Sequence, residues 1–155
     1  MISNWHTTHI QPDSLSRRLK TAYALWLWES VNSPGELPSL KQIQSASLYQ
    51  NLAPYVAIAE GRSDANIRAY VFSAAGAKVV ELFGAELASR RFDEVFTESS
   101  QIMAEEARGD QDNERKPIHY AVRDSPNISK DIEVITMPLQ HDDAAMNMTW
   151  LVYDF

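Results

Sequence analysis

No cysteine occurs in this chain of 155 residues. Disulfides, thiolate metal ligands and thiol nucleophiles are therefore excluded. Histidine is sparse: His6, His9, His119 and His141 are scattered, and no strong metal-binding spacing relates them. The five glycines form no phosphate-binding loop, because Gly76 and Gly84 lie too far apart and no Lys-Ser/Thr follows them. Long apolar runs are missing as well. The most apolar stretch, residues 22–28, falls far short of the ~20 residues that cross a bilayer. At the N-terminus no charged start leads into an apolar run and a cleavage site. The sequence thus predicts a cytoplasmic protein with no metal site and no membrane span.

Concentrated positive charge is also lacking. The net charge is −7, and it is unevenly placed: residues 1–54 carry +1 and residues 55–155 carry −8. The basic pairs Arg17-Arg18, Arg90-Arg91 and Arg115-Lys116 are too scattered to make a stripe. An acidic surface repels phosphate backbones, so no nucleic-acid partner is expected. What the chain does have is a core: 45% of its residues are apolar and 10% aromatic. A single folded domain of this length buries roughly 70% of the surface its unfolded chain exposes.

Residues 1–12 are polar and irregular and read as a flexible arm. A helix is expected to start at Pro12-Asp13-Ser14, with Leu15, Leu19, Ala22, Tyr23, Trp26 and Leu27 at helical spacing. From residue 22 to residue 28 the apolar side chains run almost all the way round, which calls for more than one neighbour. Such a helix either packs on its own domain by one face and on a second subunit by another, or sinks into the monomer core. Ser33-Pro34-Gly35 ends it, and Leu37-Pro38-Ser39 opens a second helical segment that stops before Pro54. Residues 13–53 therefore form an N-terminal helical segment.

The texture changes over residues 54–155. Strand-like runs at 55–60 and 67–73 flank the polar turn 61–66 and suggest a hairpin. Residues 77–83 read as a short helix between Gly76 and Gly84, 92–96 as a helical turn and 99–108 as a further helix. Strands are expected at 116–123, 132–139 and 148–155, with turns at 124–127 and 141–143. Two strands, a helical insertion and three more strands predict an α+β fold. Its five-stranded antiparallel sheet would carry short helices on one face and follow the N-terminal helices.

The wording of the central block then narrows the class. The run Arg68-Ala-Tyr-Val-Phe-Ser-Ala-Ala-Gly76, followed by Ala77-Lys-Val-Val-Glu-Leu-Phe-Gly84, resembles a family of bacterial, largely alphaproteobacterial, stand-alone PAS-like proteins. There an aromatic strand leads through a glycine into a helix ending Glu-Leu-Phe-Gly. Leu87 and Arg90-Arg91-Phe92-Asp93-Glu94-Val95 continue the match, and Trp28, Leu37-Pro38-Ser39, Ile43 and the late strand ending Met137-Pro138-Leu139 extend it over residues 22–155. The chain departs at Gln44-Ser45, where the family often has Asp-Pro, and at Ser89, where a glycine is common. The resemblance implies a PAS fold and a sensory or adaptor role.

Apart from the family, Gly76 and Gly84 would allow tight turns with positive φ at both ends of a short helix. Arg90 would brace the following loop through its planar guanidinium. Haem-binding PAS domains usually take a histidine from the helical insertion, but residues 74–110 contain none, so no haem is expected. The cysteine motif of light-sensing flavin domains is absent, which leaves a non-covalent flavin or a small apolar ligand. Adjacent carboxylates such as Glu105-Glu106 and Asp142-Asp143 do not converge, and no nucleophile stands with a base. No catalytic residue is assigned and no enzyme is expected.

What remains is a cavity and a surface. Tyr70, Phe72, Val80, Phe83, Leu87 and Trp150 are the candidate ligand-binding residues, the alternative being a filled core. Ile135, Met137 and Leu139 form one face of the late strands, and Met148, Trp150 and Val152 another. Tyr23, Trp26 and Leu27 are the candidate interface of a homodimer formed through the N-terminal helix. The expected partners are a small ligand and a signalling protein. A purely structural interaction module without a ligand is the alternative reading.

Overall fold

The structure, a computed structural model, describes residues 15–33, 37–65, 69–95, 117–122 and 132–155. Five strands, β1 (Val56–Arg62), β2 (Val71–Ala75), β3 (Ile118–Val122), β4 (Ile132–Leu139) and β5 (Met146–Asp154), form one sheet in the order β2-β1-β5-β4-β3. Every neighbouring pair is antiparallel. Helices α1 (Arg17–Val31), α2 (Leu40–Ser45) and α3 (Tyr49–Leu52) precede the sheet, and α4 (Ala77–Phe83) and α5 (Phe92–Val95) follow β2. This is the α+β architecture the element order predicts. The arm at 1–12, the helix at 99–108 and the turn at 124–127 lie outside the described residues.

The central strands are apolar at successive positions rather than alternate ones, so both faces of the sheet need cover. On one face Ala57, Phe72, Val134 and Tyr153 meet Val79, Leu87 and Phe92 from the insertion after β2. On the other face Ile58, Met137, Trp150 and Val152 meet Leu19, Ala22, Trp26, Ile43 and Leu52 from the N-terminal helices. The register sets Val152, Trp150 and Met148 directly beside Ile135, Met137 and Leu139. These two triplets share one face, where strand alternation alone had suggested two.

Helix α1 starts at its Ser16 cap, whose Oγ accepts from the Leu19 amide, a little later than Pro12-Asp13-Ser14 suggested. Leu19, Ala22 and Trp26 follow at spacings of three and four, so one stripe lies on β4 and β5. Each large apolar side chain seated this way stabilises the fold by about 1.5–3 kcal/mol. Trp26 adds direction, because its indole N–H donates to the Pro138 carbonyl at 2.8 Å. Helix α2 opens with a capping box in which Ser39 and Gln42 satisfy each other's backbone amides. Gln42 also donates to Ser33 at 2.8 Å and so fastens α2 to the end of α1.

The second hairpin strand spans 71–75 rather than 67–73. A register shift between Ile58 and Ala59 carries the pairing on to Ala75, and the Gly76 amide donates to Val56 O at 2.7 Å. Gly84 has the expected left-handed backbone, with φ of 69°. Gly76 does not, at −72°. Its need is space: a Cβ there would come within 2.2 Å of the Ala53 carbonyl oxygen.

Beyond α4 the chain turns back along β2. Ser89 donates to Phe72 O at 2.7 Å, Phe72 to Arg90 O at 2.9 Å and Phe92 to Tyr70 O at 3.0 Å. The reversal puts Ser89 at a φ of 70°, the conformation that suits a glycine. Replacing Ser89 with Gly relieves about 1 kcal/mol of backbone strain. For a domain of this size that raises the melting temperature by about 2–4 °C, measurable by calorimetry. An unchanged or lower melting temperature contradicts the strain.

Candidate functional site

The insertion and the sheet enclose an aromatic cluster. Phe72 and Phe92 pack at a tilt of 39° with ring centroids 4.8 Å apart, and Tyr70 lies 6.5 Å from Phe92. Phe83 of α4 meets Tyr153 edge-on at 5.9 Å. Gly61 makes room for the Tyr70 ring, since a Cβ there would sit 2.4 Å from it. Asn147, opposite Gly61 on β5, donates to the Tyr70 hydroxyl at 3.2 Å. A glycine across from an aromatic was the signal in the sequence for this seat. Phe92, read there only as part of a helical turn, turns out to be the centre of the cluster.

Of the six candidate ligand-binding residues, Tyr70, Phe72 and Leu87 come together here, and each is at most 1% exposed. Val80 and Phe83 sit half-buried on α4, with Phe83 packed against the cluster. Trp150 does not join them. It lies opposite Ile58 and Met137 on the face covered by the N-terminal helices, with Tyr49 6.3 Å away. Its fully buried indole N–H has no hydrogen-bond acceptor among the described residues, a deficit that ordinarily costs about 1–3 kcal/mol. Arg90 is exposed and holds its loop through backbone bonds to Phe72 and Leu87, with no guanidinium contact among the described residues.

The candidate interface is rearranged in the same way. Trp26 is buried against its own sheet, and Tyr23 is half-buried against the same cluster. Leu27 alone of the three faces outward, at 42% exposure. Trp28 and Val31 are more exposed still, at 67% and 75%. With Ala24, also exposed, they form a stripe at i, i+3, i+4 and i+7 on the outer side of α1. Arg17 and Lys20 continue the same stripe toward the helix N-terminus.

Two histidines lie within the described residues. His141 anchors the turn between β4 and β5: its Nδ1 accepts from the Asp143 amide at 2.9 Å, and its Nε2 lies 3.7 Å from Glu60. His119 on β3 is buried, and its Nε2 has no hydrogen-bond partner among the described residues. Burial pushes its pKa below the ordinary value of 6.5, and Glu133, 3.6 Å away, pulls part of the way back. The folded protein therefore holds this proton less tightly than the unfolded chain does. The stability that follows is complete above pH 6.5 and drains away as the pH falls through the lowered value. Thermal melts at pH 7.5 and 5.5 should show a smaller acid-side loss for His119→Gln than for the native chain, and equal losses would refute this.

Among the described residues no three His, Asp or Glu side chains are grouped to hold a metal ion, and no helix is long and apolar enough to cross a membrane. The fold and its two coverings are those of a PAS-type sensory or interaction module, an antiparallel sheet with a short-helix insertion after its second strand. Comparison with protein families agrees: the PAS domain model matches residues 13–151. The chain belongs to the PAS domain family, and the match takes in the N-terminal helices as well as the sheet. No curated protein matches it.

Proposed function

We propose that this PAS domain is a bacterial sensory or adaptor protein that signals by protein contact through α1, pairing with a second copy of itself and passing the change to a signalling partner. The supporting observation is that α1 is apolar on two sides, one seated on the sheet and one bare. Single exposed apolar residues are ordinary, but Leu27, Trp28 and Val31 on one stripe are a patch, and tryptophan is a frequent anchor of interfaces. In an antiparallel pair centred between Leu27 and Trp28, the apolar halves face each other. Lys20 of each copy then lies toward the other's helix C-terminus, whose last turn carries no basic residue. Three side chains of this size favour a weak, reversible pair over an obligate one.

A Trp28→Asp exchange alters an exposed position and leaves the inner stripe intact. By light scattering over a concentration series, the native chain should associate, and the variant should do so more weakly by about 2 kcal/mol or more at unchanged circular dichroism. A native chain that stays monomeric, or a variant that pairs as well, rejects this use of α1.

A small apolar ligand on the insertion side is the second reading. The half-buried Val80, Leu82 and Phe83 favour it, since α4 lies over the cluster without being sealed into it. The near-complete burial of Tyr70, Phe72 and Leu87 favours the filled core instead. The ligand class is a non-covalent flavin or another small apolar molecule, with no haem and no catalytic step. Native mass spectrometry of freshly purified protein decides: a mass excess lost on denaturation supports the ligand, with visible absorbance marking a flavin. The mass of the polypeptide alone rejects it.

A further inference from the structure

Residues 153–155 address both sides of the sheet in turn. Tyr153 lies in the insertion-side cluster against Phe83. Phe155 packs against the same cluster, with its ring 5.8 Å from Tyr55. Asp154, between them, takes the Arg18 guanidinium of α1 at 2.5 Å. Arg18 closes the circuit: its guanidinium carbon sits 3.4 Å over the Tyr55 ring. A path of side chains thus runs from the insertion-side cluster, around the end of the sheet, to the first turn of α1.

We infer that Arg18, Asp154 and Tyr55 form the junction through which a change in the insertion-side cluster reaches α1, and so regulates the surface proposed above. The mechanical reason is covalent. Neighbouring Cα atoms are 3.8 Å apart, so a shift of Tyr153 and Phe155 carries Asp154 with it. Repacking that moves Phe155 also moves the Tyr55 ring on which Arg18 rests. The planar guanidinium fits both partners at once, bonding a carboxylate in its plane and stacking on a ring by its face. Arg18 must follow both or release both, and α1 is then held in a different place or held less firmly.

The inference rests on α1 being the output element, but its test needs no partner. Phe83→Ala perturbs the cluster at half-buried α4, and hydrogen exchange of the α1 amides is read relative to those of β4 and β5, at a concentration where the chain is monomeric. The expected result is an increase of about threefold to tenfold in α1 exchange in the native background. In the Arg18→Gln background Phe83→Ala should add nothing further. Arg18→Lys, which keeps the charge and loses the planar stack, should behave like Arg18→Gln. The same fold-change with and without Arg18, or no α1 response to Phe83→Ala, overturns the junction. If Arg18→Gln does not fold, Asp154→Asn takes its place under the same criteria. No α1 response to Phe83→Ala in a native-background chain that still pairs through Trp28 rejects the junction alone, whereas an Arg18-dependent response in a chain that never pairs rejects the reading of α1.

Discussion

A sheet whose inner strands are apolar on both faces cannot be left half-covered, and the rest of this structure follows from that constraint. Strand β4 is buried at nearly every position, and β1 and β5 are buried through consecutive stretches. An exposed face would leave Met137, Trp150 and Val152 in water, at a cost of about 1.5–3 kcal/mol for each large side chain. The N-terminal helices are therefore as much a part of the domain as the insertion is. The family match agrees, beginning at residue 13, ahead of α1.

The two coverings are built differently. The insertion side rests on rings packed against rings, fitted to the sheet by small residues: Gly61 under Tyr70, and Ala57 and Ala59 on β1. The helical side packs aliphatic side chains around Trp26 and Trp150, with a few directed bonds such as Trp26 to Pro138. Aromatic contacts of fixed geometry resist small displacements, whereas a helix laid on a sheet along a single stripe can shift with less loss.

Much of this was legible in the sequence. The Gly76–Gly84 bracket marked the observed ends of helix α4, and the strand-like run from Ile132 to Leu139 marked the bounds of β4. The glycine that the resembled family often has at the position of Ser89 suits a left-handed backbone, and Ser89 adopts one. Facing was not legible. Trp150 and Tyr70 both look like pocket aromatics until the register sets Trp150 beside Ile58 and Met137, on the other side. Nor could the almost uniformly apolar stretch at 22–28 show which tryptophan points in. Trp26 and Trp28 are two residues apart, roughly 200° around the helix, and only the carbonyl of Pro138 and the sheet beneath decide between them.

Strand β2 lies at the margin of the sheet, and the backbone N–H and carbonyl of Phe72, with the carbonyl of Tyr70 just before the strand, are taken by residues 89–92. The arch that supplies those bonds also carries Leu87 and Phe92 into the core. Unseating it bares a strand edge and apolar surface together, the combination that templates intermolecular β-growth. The arch therefore guards one margin of the sheet while it closes the core beneath, a single short segment keeping two hazards apart from solvent.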